Sequence, residues 1–137
     1  MHDLCGVMLE TFQGWGAVFY PDEYVRAVEA FCREAGVVLA FDEMQAGFGR
    51  TGRDFGFQHY GVTPDLVCCG KGMSGGLPLS GVLGRADLVD VAPEGSMSST
   101  HSANPLACAA SLAVLDEMVD RTRMFLSATV AYFSSYS

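Results

Sequence analysis

Lysine occurs only once in this chain, at position 71, beside seven arginines. The amine of a lysine can lose its proton in an apolar site and form a Schiff base with a carbonyl carbon, whereas arginine stays protonated and cannot. One lysine retained in an arginine-rich chain therefore favours a position that only a primary amine can serve. A lysine kept by chance on the surface is the alternative that this count leaves open.

Asp42 is the second residue whose position suggests chemistry, because it ends the apolar run at residues 37–41. A carboxylate at the end of a buried strand is unfavourable unless a positive group meets it. The protonated pyridine nitrogen of pyridoxal phosphate is one such group, and the aldehyde of the same cofactor would accept the amine of Lys71. A structural salt bridge between Asp42 and Lys71 explains the pair about as well.

Apolar runs predict the strands that would position these two residues. There are four such runs, at residues 4–9, 37–41, 66–69 and 79–83. The first predicts a short strand that enters a loop. The other three predict strands buried on both faces of a parallel sheet. Asp42 directly follows the second run, and Lys71 lies just beyond the third.

Two helices are predicted beside these strands. Residues 22–35 place apolar side chains on one stripe, with a proline before them and Gly36 after them as a stop. Asn104 and Pro105 are typical of an N-cap and a first-turn proline, and they predict a helix that runs to about residue 119.

The alternation of these elements predicts an α/β fold with a mostly parallel sheet and flanking helices. Ligands of such folds bind beyond the carboxyl ends of the strands. Asp42 and Lys71 both follow such ends, so the sequence predicts a site at this edge of the sheet.

Three segments together resemble the signature of class III, or omega-amino-acid, aminotransferases. They are VLAFDEMQAGFGRTG at residues 38–52, PDLVCCGKGMSGGLPLSGVLGR at residues 64–85 and SSTHSANPLACAAS at residues 98–111. The segments follow the order and the similar spacing of that family, and the resemblance covers roughly residues 4–118. It implies part of the large domain of the fold type I architecture of enzymes that depend on pyridoxal phosphate.

The resemblance also implies roles for individual residues. Lys71 would form the covalent bond to the cofactor, Asp42 would bond its pyridine nitrogen, and Gln45 would lie near its 3-hydroxyl group. Thr100 matches the threonine that reaches the cofactor phosphate of the neighbouring subunit, which implies a homodimer. Glu10 resembles a glutamate that pairs with a substrate-binding arginine in some members.

Two positions depart from the family pattern. Thr11 stands where a proline usually follows the glutamate that Glu10 resembles. Residues 101–103 replace the usual Phe-Gly-Gly after the threonine, a change that could alter the contact between subunits while keeping the hydroxyl group of Thr100.

The activity implied is transfer of an amino group between an amino acid or omega-amino donor and a 2-oxo acid. Some relatives use the same lysine to return the proton to the same carbon and act as racemases or epimerases. The sequence does not distinguish amino-group transfer from racemisation or epimerisation. A remnant without catalytic activity is the alternative to both.

Two competing motifs match only by their letters. Residues 70–75 fit G-x-G-x-x-G, but Pro78 interrupts the helix that a dinucleotide fold requires. Ser74 fits the nucleophile of G-x-S-x-G, with Asp87 and His101 following in the order of an α/β-hydrolase. The same proline spoils the helix after that serine, and Asp87 falls at a predicted helix start.

The amino-acid composition excludes several classes of binding partner. The net charge is -8, with 16 acidic and 8 basic residues, which argues against nucleic acid and anionic membranes. No run approaches the roughly 20 apolar residues of a membrane span. Five cysteines without C-x-x-C spacing and three scattered histidines predict a reducing, cytoplasmic location and no metal site.

We predict two parts in the chain. Residues 1–120 correspond to the central part of the large domain, whereas residues 121–137 contain no acidic residue and form a divergent tail, consistent with a shifted reading frame. The upstream phosphate loop, the upstream aromatic residue that stacks on the cofactor and the small domain of the family have no counterpart here. The expectation is therefore an incomplete product that is inactive alone.

Overall fold

The computed structural model describes residues 3–97 and 99–120, so the predicted tail lies outside the described residues. The strands are β1 (Gly6–Glu10), β2 (Phe12–Gln13), β3 (Val18–Phe19), β4 (Val38–Asp42), β5 (Leu66–Cys69) and β6 (Gly81–Gly84). The helices are α1 (Asp22–Ala35), α2 (Ala86–Val89) and α3 (Pro105–Asp120), with short 3₁₀ helices at Gly56–His59 and Lys71–Ser74.

The main sheet has four strands in the order β1-β4-β5-β6. β1, β4 and β5 run parallel, as the sequence predicted for β4 and β5, and β2 and β3 form a separate antiparallel pair. Helix α1 packs on one face of the parallel strands and encloses the hydrophobic core, which includes Val25, Cys32, Leu39, Phe41 and Tyr60. The predicted α/β class is confirmed.

Helix α1 has the bounds that its sequence predicted. Asp22 and Glu23 lie in its first turn, where carboxylates interact favourably with the helix dipole. Gly36 ends the helix in the left-handed conformation, with φ of +65°, and its amide donates to the carbonyl of Cys32. Glycine adopts this conformation without the steric penalty of a Cβ atom, which explains the stop.

Strand β4 is buried on one face rather than on both, contrary to the prediction. Leu39 and Phe41 are fully buried against the core, whereas Val38, Ala40 and Asp42 are half-buried. Side chains of a strand alternate between its faces, and α1 covers only one of them within the described residues.

Strand β6 shows that the prediction of a further buried parallel strand at residues 79–83 is wrong. It pairs antiparallel with β5, and Val82 and Leu83 are each about half exposed. Only residues 70–80 separate the two strands, fewer than the dozen or so that a parallel crossover requires. The short connection therefore dictates the antiparallel direction.

Helix α3 begins as predicted. The Asn104 side chain caps it, because Oδ1 accepts hydrogen bonds from the amides of Leu106 at 2.9 Å and Ala107 at 3.4 Å. Such a cap satisfies amides that have no partner within the helix. Within the described residues, neither α3 nor any other helix has the length and apolar character needed to cross a membrane.

A buried carboxylate fastens the amino end of β5. Asp65 is 3% exposed and accepts hydrogen bonds from the Leu39 amide at 2.9 Å, from Arg33 at 2.8 Å and from Arg85 at 3.3 Å. Burial acts to raise the pKa of Asp65, but these donors outweigh burial and lower it. The amino end of the parallel sheet is thus held by fully partnered charges.

Candidate active site

The carboxyl ends of the three parallel strands bring together four of the five residues singled out by the sequence. Glu10 is the register partner of Asp42, and Asp42 is the partner of Cys68 on β5. Lys71 follows β5 by two residues, and its side chain meets Gln45. We call Glu10, Asp42, Gln45 and Lys71 the edge cluster.

Lys71 opens a 3₁₀ helix and lies exposed at this edge. Its amine donates a hydrogen bond to Oε1 of Gln45. Its φ is +38°, in the left-handed region that residues with a Cβ atom rarely occupy. The preceding Gly70 lies against the sulfur of Met44, where an added Cβ would overlap it. The exposed amine of Lys71 thus lies on a strained stretch of backbone, directly after a closely packed glycine.

Asp42 does not form the salt bridge with Lys71 that the sequence left open. Its Oδ1 accepts a hydrogen bond from the Met44 amide at 2.9 Å. No ion pair within residues 3–97 and 99–120 includes Asp42. Asp42 is therefore a half-buried carboxylate whose negative charge has no cationic partner in the described part of the chain.

Gln45 and Glu10 both contact the loop between β2 and β3. Gly14 in this loop donates its amide hydrogen to Oε2 of Glu10 at 3.4 Å. The same glycine lies directly against the carboxamide of Gln45. The loop thus contacts the residue proposed for substrate and the residue that accepts the Lys71 amine.

Glu43, adjacent to Asp42, belongs to a site that the sequence analysis missed. It is fully buried, and its carboxylate accepts hydrogen bonds from the Thr11 hydroxyl at 2.7 Å and from the amides of Gly56 at 2.8 Å and Phe57 at 2.9 Å. Tyr60 donates its hydroxyl to the Thr11 carbonyl at 2.7 Å. We call these residues the buried cluster.

Burial raises the pKa of Glu43, and the hydrogen bonds from Thr11, Gly56 and Phe57 offset part of that rise. The alternation of side chains along β4 could have revealed the burial of Glu43, since it places residue 43 on the same face as Phe41. Thr11, which departs from the family pattern, therefore has a structural partner of its own.

Thr100 is the predicted site residue that the structure does not join to the edge cluster. It is exposed in the turn before α3. Within the described residues, no hydrogen bond links it to Asp42, Gln45 or Lys71. A role toward a neighbouring subunit stays a prediction.

The serine hydrolase motif does not assemble. Ser74 is 2% exposed, and its hydroxyl donates to the carbonyl of Leu77. Asp87 instead binds Arg85, with oxygen to nitrogen distances of 2.6 and 3.0 Å. His101 is exposed, and nothing among the described hydrogen bonds connects it to Ser74. The nucleophile is therefore neither accessible nor activated.

The dinucleotide motif and a metal site gain no support. Strand β5 leads into a 3₁₀ helix of 4 residues, Lys71–Ser74, rather than into the long helix whose amino end would hold a pyrophosphate. Among residues 3–97 and 99–120, no three His, Cys, Asp or Glu side chains cluster closely enough to bind a metal ion.

Comparison with known proteins identifies similar sequences. A model of the aminotransferase class-III family matches residues 1–132. The probable 4-aminobutyrate aminotransferase of Bacillus subtilis is 47% identical over 111 residues, which are 80% of this chain and 26% of that protein. The acetylornithine aminotransferase of Caldanaerobacter subterraneus is 44% identical over 117 residues, which are 85% of this chain and 30% of that protein.

Solved structures agree with these sequences. The ornithine delta-aminotransferase of Plasmodium falciparum superposes with a TM-score of 0.80 at 36% identity, covering 86% of this chain and 32% of that one. An S-selective transaminase from Arthrobacter sp. gives 0.78 at 40% identity, covering 85% and 26%. The chain spans about a quarter to a third of the length of these relatives. With nearly all of its length matched in sequence and most of it in fold, the chain belongs to the class III aminotransferase family.

Proposed function

We propose that the chain carries the lysine-bearing part of a pyridoxal phosphate site that transfers an amino group between an amino acid or omega-amino donor and a 2-oxo acid. One observation supports this most directly. The amine of Lys71 meets Gln45 at the sheet edge where the carboxylate of Asp42 has no cation among the described residues. A structural salt bridge, the main competing explanation, is not formed.

The chemistry of the edge cluster fits this cofactor. Lys71 offers the single side-chain amine of the chain in an exposed position. Asp42 offers a negative charge that has no ion pair among the described residues, and Gln45 offers a carboxamide. The cofactor requires an amine for its aldehyde, an anion for its ring nitrogen and a polar group for its ring hydroxyl.

When bound, pyridoxal phosphate supplies an aldehyde for amino groups and a ring that withdraws electrons. Nζ of Lys71 would hold the cofactor and, once an amino substrate has taken its place, would move the proton at the substrate carbon. Asp42 would keep the ring nitrogen protonated by charge attraction. Gln45 would orient the ring, and Glu10 would contact the substrate.

The relatives indicate the substrate class. Their names specify 4-aminobutyrate, acetylornithine and ornithine as the molecules that those enzymes act on. We propose a donor of the same kind, with an amino group at the end of an aliphatic chain. Racemisation or epimerisation by the same lysine is the alternative, and the aminotransferase names of the relatives favour transfer.

Assembly, location and extent are further parts of the proposal. Exposure of Thr100 supports a homodimer in which this residue serves the opposite site. All five cysteines are free, which suits a reducing cytoplasm. We also propose that residues 1–120 are the central part of the large domain and that residues 121–137 are a divergent tail.

Borohydride trapping tests the proposal. The purified chain is mixed with pyridoxal phosphate and reduced, and the labelled peptide is identified by mass spectrometry. We expect the label on the peptide that contains Lys71 and its loss in Lys71→Arg, which keeps the charge but not the primary amine. Label confined to the amino-terminal amine, or equal labelling of Lys71→Arg, would contradict the proposal.

Isotope analysis with an intact relative of this chain separates the two reactions. If the amino group of an omega-amino donor appears on the 2-oxo acid, the reaction is transfer. Inversion of a single amino acid without any acceptor would instead support the racemase.

A further inference from the structure

We propose that Gly14 is a positioning residue that acts through the carboxamide of Gln45, an inference that rests on the proposed role of Lys71. Because it has no side chain, the carboxamide of Gln45 can occupy the place from which it accepts the hydrogen bond of the Lys71 amine. Any larger residue at position 14 would displace this carboxamide and release the amine.

The space around Gly14 carries this inference. A Cβ atom built on Gly14 would lie 2.5 Å from Oε1 of Gln45 and still closer to its carboxamide carbon and nitrogen. Cβ atoms in proteins essentially never approach other heavy atoms this closely. The end of the Gln45 side chain is flexible, so it would move rather than the backbone. That end is also the group that contacts Lys71.

The backbone of Gly14 gives no other reason for glycine. Seven glycines in the described part of the chain have positive φ, and Gly14 is not among them. An alanine could therefore adopt its conformation, and the requirement for glycine comes from the neighbouring carboxamide. Its amide also donates to Glu10, so the same residue touches both the amine-holding group and the proposed substrate residue.

Gly16 provides a matched control two positions along the same loop. Its φ is likewise not positive, and an added Cβ would meet only Cγ2 of Val18, at 3.4 Å, which is an ordinary contact. Gly14→Ala and Gly16→Ala thus make the same chemical change in one loop, but only the first collides with Gln45.

The test uses the reactivity of the single lysine without any cofactor. The full chain is treated with trinitrobenzenesulfonate, and peptide mapping measures the rate at Lys71 relative to that at the amino-terminal amine of the same molecule. The hydrogen bond to Gln45 holds the amine in one position, so its loss should let the amine reach the reagent more freely, and Gly14→Ala should raise the relative rate by roughly three- to tenfold. Gly16→Ala should leave it unchanged.

A double-mutant cycle links the effect to Gln45. Gln45→Ala alone should raise the rate as much as Gly14→Ala, and adding Gly14→Ala to it should have no further effect. The proposal is overturned if Gly14→Ala matches the parent chain, if its effect persists without Gln45, or if Gly16→Ala acts equally. Should Gly14→Ala fail to fold, an unchanged rate in Gln45→Ala would still overturn it.

This measurement is independent of the trapping experiment. Failure of pyridoxal phosphate to attach at Lys71 would refute the proposed function but leave the link between Gly14 and Gln45 intact. Attachment at Lys71 together with unchanged reactivity in the Gly14 and Gln45 variants would refute only the positioning role.

Discussion

The edge cluster and the buried cluster contain two consecutive acidic residues, Asp42 and Glu43, whose surroundings differ sharply. Asp42 accepts one hydrogen bond and has no ion pair among the described residues. Glu43 is enclosed and accepts three hydrogen bonds. The difference fits two tasks: Asp42 is the carboxylate that we propose for a ligand, whereas the carboxyl group of Glu43 joins segments of the chain through its hydrogen bonds.

The two regions also differ in backbone strain. The buried cluster is held by side chains and amides distant in sequence, since Thr11 and Glu43 are 32 positions apart. The edge cluster contains Lys71 at a φ of +38°. Such strain is tolerated where the surrounding structure fixes the backbone, and it accompanies groups that are positioned for chemistry.

Removing each carboxylate gives the largest expected contrast. Glu43→Ala leaves one hydroxyl and two amides without their acceptor in the interior, and we expect it to lower the free energy of unfolding by about 3 kcal/mol. Asp42→Ala loses only the bond from the Met44 amide at the edge, and should lower it by about 1 kcal/mol or less. Urea denaturation of both variants measures the difference, and equal losses would show that the two clusters do not differ in this way.

Backbone strain at Lys71 gives a smaller contrast. Lys71→Ala and Lys71→Gly both lack the amine, but only alanine keeps the Cβ atom in the left-handed conformation. We expect the glycine variant to be the more stable by about 1 kcal/mol in urea denaturation. Higher stability of Lys71→Ala would mean that the backbone at this edge is unstrained.

The pH dependence of stability gives the smallest contrast. Because the pKa of Glu43 is raised in the folded chain above its ordinary value of 4.5, its stabilising contribution is present below that value and declines as pH rises through the folded pKa. The stability of the parent chain relative to Glu43→Gln should therefore fall with rising pH. The Asp42→Asn variant retains Glu43, so the contribution of Glu43 cancels when this variant is compared with the parent chain. A parent-to-Glu43→Gln difference that grew with pH would contradict the raised pKa.

Much of the framework could be predicted because its signals are local. The bounds of α1 follow from its apolar stripe and from Gly36, and the start of α3 follows from Asn104. The position of Asp42 beside the end of β5 follows from the rule that parallel strands end at one edge. These features depend on residues adjacent in sequence or on a general property of sheets.

The remaining features depend on contacts between distant residues. An apolar run has no direction, so the antiparallel pairing of β6 required attention to the short connection after Cys69. The partners of Glu43 lie far along the chain in both directions. The requirement for glycine at position 14 comes from the space occupied by Gln45, and no residue pattern encodes that space.

The alternation of β4 has a consequence for how this site tolerates insertion and deletion. Odd positions from Leu39 to Glu43 face the interior, and even positions from Val38 to Asp42 face the other side. Deletion of any single residue within the strand would reverse this alternation for the residues that follow and bring Glu43 to the place of Asp42. The residue after Glu43 would then face the interior and would have to be apolar. The alternation of side chains along one short strand therefore decides which of two neighbouring carboxylates lies at the edge of the sheet and which lies in the interior.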